Sequence, residues 1–284
     1  MTYSIVARDA DGALGVATAS KFLAIGATVP AVAPGLGAVA SQGHTNPSLR
    51  GQGLDLLRDG RDPTAAVTDL LGLDPEAAQR QVALVGPRGW GAAVTGDACT
   101  RPAGHRTGDG WAVIGNLLAA EEVLDAMRDA FLTATGRLDA RLLDALRAGE
   151  RAGGDRRGRQ SAALLVLGAD DAPSLRRGLR TDLRVDDHPN PVDELARLLG
   201  RQHVVLDPPD ETLLVPLTDA VAGTVDDLLG SVGLPEGPLP QRLAAWAHLA
   251  NVEHRLVDGH LDPVLLRELR AAAAERASGG RAEG

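Results

Sequence analysis

The chain has 284 residues, 44% of them hydrophobic and only 2% aromatic, with a formal net charge of −9. Those values give ample apolar material for a core built from Ala, Val and Leu. They argue against nucleic acid as the main partner, because neutralising phosphates takes clustered Lys and Arg. A single cysteine, Cys99, excludes an internal disulfide and a multi-cysteine metal site.

No apolar run approaches the roughly 18 residues of a membrane span, so no membrane contact is expected. No basic, apolar and small-residue leader is read at the start, and the cytoplasm is the expected compartment. Met1-Thr2-Tyr3-Ser4-Ile5-Val6 opens the chain. Thr2 is small enough for Met1 to be removed. A free α-amine with a pKa of about 8 would then sit beside its own hydroxyl, a minimal base and nucleophile. A Met-Thr start by itself is also common without any catalytic meaning.

Thr2 to Ala7 alternates as a strand, with Tyr3, Ile5 and Ala7 on one face and Thr2, Ser4 and Val6 on the other. Asp11-Gly12 is a hairpin turn, and Leu14 to Ala19 is the returning strand. The hairpin brings Ser20 and Lys21 back beside the N-terminus, where a cation could lower the amine pKa or hold an oxyanion. A solvated strand-end charge is the plainer reading of Lys21. Thr28 to Ala33 and Gly37 to Gln42 form a second pair of short apolar runs. The polar stretch Gln42 to Asn46 is a substrate wall or a plain loop.

Helices are expected over Leu49–Arg58 and from Asp62-Pro63, as N-cap and first residue, to Leu71. Gln81–Val85 and Trp90–Thr95 read as a hairpin, Gly104 to Gly108 as a connector, and Trp111 to Gly115 as a strand ending at Asn116. Asn116 is either an oxyanion or substrate donor or a helix cap. Ala119–Thr135 and Leu138–Ala148 follow as amphipathic helices.

The loop Gly153 to Ser161 is glycine-rich with mixed charge, and Arg157 or Arg159 could fork an anion. Its spacing is not that of a phosphate-binding loop, and it feeds the strand Ala162–Leu167. Leu183–Asp186 is a short strand, and Asn190 caps a helix over Pro191–Leu199. Asp186, Asp187 and His188 do not form a metal site, since neighbours on a strand end point apart and no matching ligand set follows. Beyond Asp207-Pro208-Pro209-Asp210, helices are expected over Val215–Leu229, Leu239–Val257 and Pro263–Arg276, with Asp262 as N-cap of the last. Asn251, Glu253 and Arg255 would form a polar face. The tail from Ser278 is expected to be disordered. The inventory is α+β, and two stacked sheets with helices outside would accommodate it.

Several stretches together resemble the DUF1028 family of bacterial proteins. They are Thr2 to Asp9, Gly15-Val16-Ala17, Ala19-Ser20-Lys21-Phe22, Gly37 to Ala40 with Gln42, and Asn46-Pro47. Gly104-His105, Gly115-Asn116, Gly153-Gly154-Asp155 with Gly158, Gln160-Ser161-Ala162-Ala163 and Arg184 to Pro189 continue the likeness in order, over roughly residues 1–205. The resemblance implies the Ntn-hydrolase-like superfamily and its four-layer αββα sandwich, which proteasome subunits and asparaginase-like enzymes share. It implies an Ntn-type domain over 1–207 and a small all-α domain over 211–278. Residues 211–276 resemble the peptidoglycan-binding domain attached to many members. The likeness rests on Trp246 and Asn251-Val252-Glu253, although Ala250 stands where such members carry Glu.

The activity so implied is that of an N-terminal-nucleophile amidohydrolase acting on a small amide or peptide-like bond. Thr2 would be the nucleophile, with Ser20 and Lys21 beside it. Gln42, Asn116, Asp155, Gln160 and Ser161 would serve the oxyanion and the substrate's polar ends. No metal or organic cofactor is expected, and a homodimer or larger homo-oligomer is. The alternative is a non-catalytic protein on the same scaffold, holding a glycopeptide or protein partner with its C-terminal helices.

Overall fold

The computed structural model describes residues 2–72, 74–169 and 178–279. They form two compact units, Met1–Leu199 and Gly200–Gly284. The first unit begins with the hairpin β1 (Thr2–Arg8) and β2 (Leu14–Ser20), then β3 (Pro30–Ala33) and β4 (Gly37–Gly43). Helices α1 (Ser48–Arg58) and α2 (Pro63–Gly72) precede β5 (Arg80–Val85), β6 (Ala92–Thr95), β7 (Gly104–Gly108) and β8 (Trp111–Asn116). Then come α3 (Glu122–Thr133), α4 (Leu138–Arg151), β9 (Ser161–Leu167), β10 (Leu179–Val185) and α5 (Pro191–Leu206).

The strands make two antiparallel sheets, a six-stranded one in the order β10-β9-β2-β1-β8-β7 and a four-stranded one in the order β3-β4-β5-β6. Strand β1 lies inside the larger sheet, and its alternation splits it between two cores. Ile5 and Ala7 pack with Leu124, Met127, Leu142 and Leu146 of α3 and α4. Val6 packs with Val16 and Ile114 of its own sheet and with Ala38, Ala40, Ala83 and Val85 of the smaller one. The alanines keep that second core thin. On their other face, β4 and β5 give Val39, Val82 and Leu84 to a cluster with Leu49, Leu57, Val67 and Leu70 of α1 and α2. Each such large apolar side chain contributes about 2 kcal/mol by leaving water.

Local signals account for several boundaries. The Ala65 amide donates to Asp62 Oδ1 at 2.9 Å, so Asp62 opens α2 with Pro63 behind it. The stretch expected as a connector, Gly104–Gly108, is instead edge strand β7, paired Gly104 to Gly115 through Gly108 to Trp111. Its glycines and charges hide a strand that pairs through its backbone with β8 and through Arg106 with Asp125 of α3 at 2.8 Å. Gly108 is required there, because a Cβ would lie 2.3 Å from the Trp111 ring. Helix α5 runs to Leu206 rather than stopping at Leu199, since Gly200 inside a helix costs only about 1 kcal/mol. Strand β10 is longer than Leu183–Asp186 because β9 offers it partners back to Leu167.

The second unit holds β11 (Val215–Pro216), α6 (Asp219–Ser231), α7 (Leu239–Leu249), β12 (His260–Leu261) and α8 (Pro263–Gly279). Together with the end of α5 from Gly200, its described residues therefore add a short antiparallel strand pair to the helices, so the unit is not helices alone. Val225, Leu229, Leu243, Trp246, Leu265 and Leu269 form its core. The helix expected to run on to Val257 ends at Leu249, and Asn251 follows with a φ of 56°. Arg255, expected on an exposed polar face, is buried. It bonds Asp262 at 2.8 Å and the carbonyls of His203 and Val204. Asp262 also caps α8 through the Val264 amide at 2.8 Å. Of the tail expected to be disordered, residues 278 and 279 lie in α8 and 280–284 lie outside the described residues. Among the described residues, no helix is long and apolar enough to cross a membrane.

Candidate functional site

The β1–β2 hairpin sets Tyr3 opposite Ala19. One step further along that register, Thr2 Oγ1 donates to Ser20 Oγ at 3.2 Å, with both residues buried. On its other side Thr2 is paired with Asn116, the last residue of β8. Three polar residues thus meet where three neighbouring strands of the larger sheet end. The methionine whose removal would free the Thr2 amine lies outside the described residues.

Beneath Thr2 runs a chain of buried amides. Gln42, on β4, donates through Nε2 to the Thr2 carbonyl at 2.9 Å and to Gln81 Oε1 at 2.7 Å. Its own Oε1 is 2.6 Å from Ser4 Oγ, which also lies 2.7 Å from Thr18 Oγ1. An amide oxygen only accepts, so Ser4 donates to Gln42 and Thr18 donates to Ser4. Gln81 Oε1 also receives Asn116 Nδ2 at 3.0 Å. Gln81 Nε2 reaches the Gly115 carbonyl at 2.8 Å, with Thr95 Oγ1 and the Gly104 carbonyl at 2.9 and 3.0 Å. The network therefore fixes the backbone of residue 2 through Gln42 and the side chain of Asn116 through Gln81, with the two glutamines bonded to each other.

Asn116 lines a cavity of about 150 Å³ together with Gly43, His44, Cys99, Thr100 and Leu117. Burial pushes the Cys99 thiol up from its ordinary range. Leu117 sits in the left-handed region at a φ of 51°, a strain of roughly 1–3 kcal/mol for a side-chain-bearing residue. Its amide is pinned to the Thr100 carbonyl at 2.7 Å. Gly43 ends β4 opposite Arg80, with a φ of 90° and a place for a Cβ only 2.5 Å from the Gln79 carbonyl. A smaller cavity of about 80 Å³ is lined by Tyr3, Ser20, Glu150, Asp155 and Arg159. The Tyr3 hydroxyl donates to Glu150 Oε2 at 3.3 Å, and Arg159 Nε lies 3.1 Å from Glu150 Oε1. Burial raises both the Tyr3 phenol and the Glu150 carboxyl above their usual ranges.

The other candidates from the sequence are placed differently. Lys21 is exposed, and its ammonium donates to the Arg159 carbonyl at 3.2 Å. Asp155 is buried and occupied: it accepts the Lys21 amide at 2.7 Å, the Arg157 amide at 2.8 Å and the Arg157 guanidinium at 3.2 Å. Ser161 donates to the Phe22 carbonyl and accepts the Ile25 amide at 3.1 Å. Gln160 is held through its backbone, its amide on the Ser20 carbonyl at 3.1 Å and its carbonyl under the His188 amide at 2.8 Å. Asp155, Gln160 and Ser161 together clamp the segment that leaves β2. Asp186 pairs with Arg184 at 3.0 Å, and His188 Nδ1 accepts the Asn190 amide at 3.0 Å. Among the described residues, no group of three or more His, Cys, Asp or Glu side chains is placed to hold a metal ion.

Sequence reasoning passed over Ser4, Gln81 and Glu150. Gln81 left a signal: it is a polar side chain opening an otherwise apolar strand, level with Gln42 in the β4–β5 pairing. Glu150 left none, because its helix reads as amphipathic with or without it.

A family model described as "Family of unknown function (DUF1028)" matches residues 2–195. Among solved structures, protein SPO2555 from Silicibacter pomeroyi, itself described under that family, is similar at 36% identity and a TM-score of 0.65, over 71% of this chain and 86% of that one. Anbu, an ancestral beta-subunit from Yersinia bercovieri, aligns at 16% identity and a TM-score of 0.38, over 70% of this chain and 93% of its own. BPH from Thiobacillus denitrificans, solved with epoxomicin, aligns at 14% and 0.34, over 59% and 98%. Likenesses that loose carry no weight for activity. No curated protein matches the chain. With a family model over more than half its length and a 36%-identical relative covered along 71% of it, this chain belongs to the DUF1028 family.

Proposed function

We propose that the chain is an N-terminal-nucleophile amidohydrolase on a four-layer αββα sandwich, cleaving a small amide or peptide-like bond with Thr2. The observation that carries the reading is the hydroxyl pair of Thr2 and Ser20 at the strand ends, with Asn116 across from it. Once Met1 is removed, the Thr2 α-amine takes the proton from Oγ1 as the oxygen attacks the substrate carbonyl. The C–O bond forms and the carbonyl electrons move onto its oxygen. The second N–H of Asn116 Nδ2 is free of Gln81 and is the donor for that oxyanion. Collapse breaks the C–N bond, and the α-ammonium hands its proton to the leaving amine. Water then hydrolyses the ester by the same route, with the amine again as base.

Ser20 orients the Thr2 hydroxyl, and Gln42 holds the Thr2 carbonyl so that the amine keeps its angle to the oxygen. The scheme calls for no metal or organic cofactor. Removing one oxyanion donor costs about 100-fold or more in such sites. The likeness of residues 211–276 to a peptidoglycan-binding domain enters none of these steps.

The test is mass spectrometry of protein purified from its own host, before and after a β-lactone that acylates threonine hydroxyls. The reading expects the chain to start at Thr2 and to gain one acyl group there, with no adduct on Thr2→Ala. A retained Met1 refutes it and leaves the non-catalytic binding protein as the better account; an adduct that persists in Thr2→Ala refutes Thr2 as the nucleophile.

A further inference from the structure

A third cavity, about 330 Å³, is lined by Asp144, Arg147, Glu150, Arg151, Arg159 and Asp193 beside Val192, from α4, α5 and the loop before β9. Its chemistry differs from the rest of the surface. Asp144, Arg147 and Arg151 fall on one stripe of α4, at i, i+3 and i+7. Asp193 comes from the first turn of α5. Elsewhere most arginines of the first unit are matched to a carboxylate: Arg8 to Asp109, Arg80 to Asp74, Arg106 to Asp125, Arg141 to Asp9 and Arg180 to Asp11.

Here Glu150 and Arg159 are paired with each other at 3.1 Å. Among the described residues, Arg147, Arg151, Asp144 and Asp193 have no ion pair or side-chain hydrogen bond at all. Two guanidiniums one turn apart on a helix repel. An Asp three residues before an Arg could pair with it and does not. Two cations and two anions thus stand around one hollow without neutralising each other.

We propose that this cavity binds a zwitterion, an α-amino acid or a short peptide with both ends free. The ligand carboxylate would lie between the guanidiniums of Arg147 and Arg151, whose planar forks match its two oxygens. The ligand ammonium would lie between Asp144 and Asp193. The Glu150–Arg159 pair forms the inner wall, and both residues also line the small cavity that contains Ser20. An occupant of the outer hollow therefore sits across one ion pair from the small cavity that Ser20 lines. The binding claim needs no chemistry at Thr2 and stands apart from it.

The test is isothermal titration calorimetry on the full chain with four kinds of probe at millimolar concentration. They are alanine and dialanine as zwitterions, N-acetylalanine as carboxylate alone, alaninamide as ammonium alone, and inorganic phosphate as a plain oxyanion. The zwitterions are expected to bind, and each blocked analogue to bind at least about tenfold more weakly, the loss of one charged contact. Arg147→Ala with Arg151→Ala should remove zwitterion binding while the melting temperature stays within a few degrees of the parent. Asp193→Asn should weaken zwitterions and leave N-acetylalanine unchanged. Absence of any zwitterion binding, equal binding of N-acetylalanine or phosphate, or binding that survives the double arginine change would each overturn the proposal.

Discussion

Thr2 and Ser20 meet hydroxyl to hydroxyl at 3.2 Å, although eighteen positions separate them in the chain. The contact follows from the hairpin register that sets Tyr3 against Ala19, so a one-residue shift of that register, from inserting or deleting a residue in the Asp9–Ala13 turn, would turn the two hydroxyls to opposite faces. If Thr2 is the nucleophile, Ser20 acts by orienting it. Ser20→Ala is expected to lower kcat about 10- to 100-fold with KM little changed, the cost of one or two hydrogen bonds' worth of alignment. Ser20→Thr, which keeps the hydroxyl, should recover most of the loss. Steady-state kinetics on an amide substrate found with the parent enzyme would check both, and an unchanged kcat in Ser20→Ala removes Ser20 from the site.

Gln81 joins β5 to β8 and fixes Asn116. Replacing it with Ala strips the partner from Gln42 Nε2 and Asn116 Nδ2 in a buried setting. A destabilisation of about 1–3 kcal/mol is expected, the cost of leaving such groups unpaired. Urea unfolding followed by circular dichroism measures it directly, and a value near zero would mean that water takes over the network.

The Asp74–Arg80 pair makes the first unit sensitive to acid. The Arg80 side-chain hydrogen bond at 2.9 Å holds the Asp74 carboxyl below the usual carboxylate range. A depressed folded-state pKa means that the pair's stabilisation is in full force above the ordinary carboxylate range of about 4. It is lost as the pH falls through the lower, folded value. Asp74→Asn should therefore lower the melting temperature at neutral pH and flatten its decline below about pH 4. Melting curves from pH 7 to 2.5 would reveal a parallel acid limb if the pair contributes nothing.

In the second unit, Arg255 and Asp262 are both nearly inaccessible and bond each other at 2.8 Å. Arg255→Met leaves a buried carboxylate without its cation. The unit should lose about 3–5 kcal/mol, the typical cost of breaking such a pair by removing one partner. Hydrogen exchange of amides in α6, α7 and α8 is the appropriate readout, because it separates this unit from the sheets. Asp262→Asn, which can still cap α8, should cost less than Asp262→Ala.

Much of the arrangement follows from local chemistry that the chain carries openly. The alternation of Tyr3, Ile5 and Ala7 against Thr2, Ser4 and Val6 determined a strand. Asp11-Gly12 determined that the chain returns, and therefore that Ser20 comes back beside Thr2. Asp62-Pro63 and Asp262-Pro263 determined two helix starts through a side-chain cap and a missing amide hydrogen. Signals of this kind act within a few residues, so they survive without knowledge of the fold.

Only the tertiary structure decided which polar residues share a site. Lys21 and Ser20 are neighbours in sequence, yet Ser20 turns inward to Thr2 while Lys21 reaches the Arg159 carbonyl. Asp155 and Ser161 read as candidate substrate groups, but Asp155 is bonded to the Lys21 amide and to Arg157, and Ser161 to the Phe22 carbonyl and the Ile25 amide. Gln81 and Glu150 are drawn in from distant elements by sheet pairing and helix packing. Arg255 looked like a solvent-facing charge until Asp262 and two carbonyls gave it partners inside. A side chain's role here depends on whether its hydrogen bonds are already taken, and those partners come from across the fold rather than from adjacent sequence.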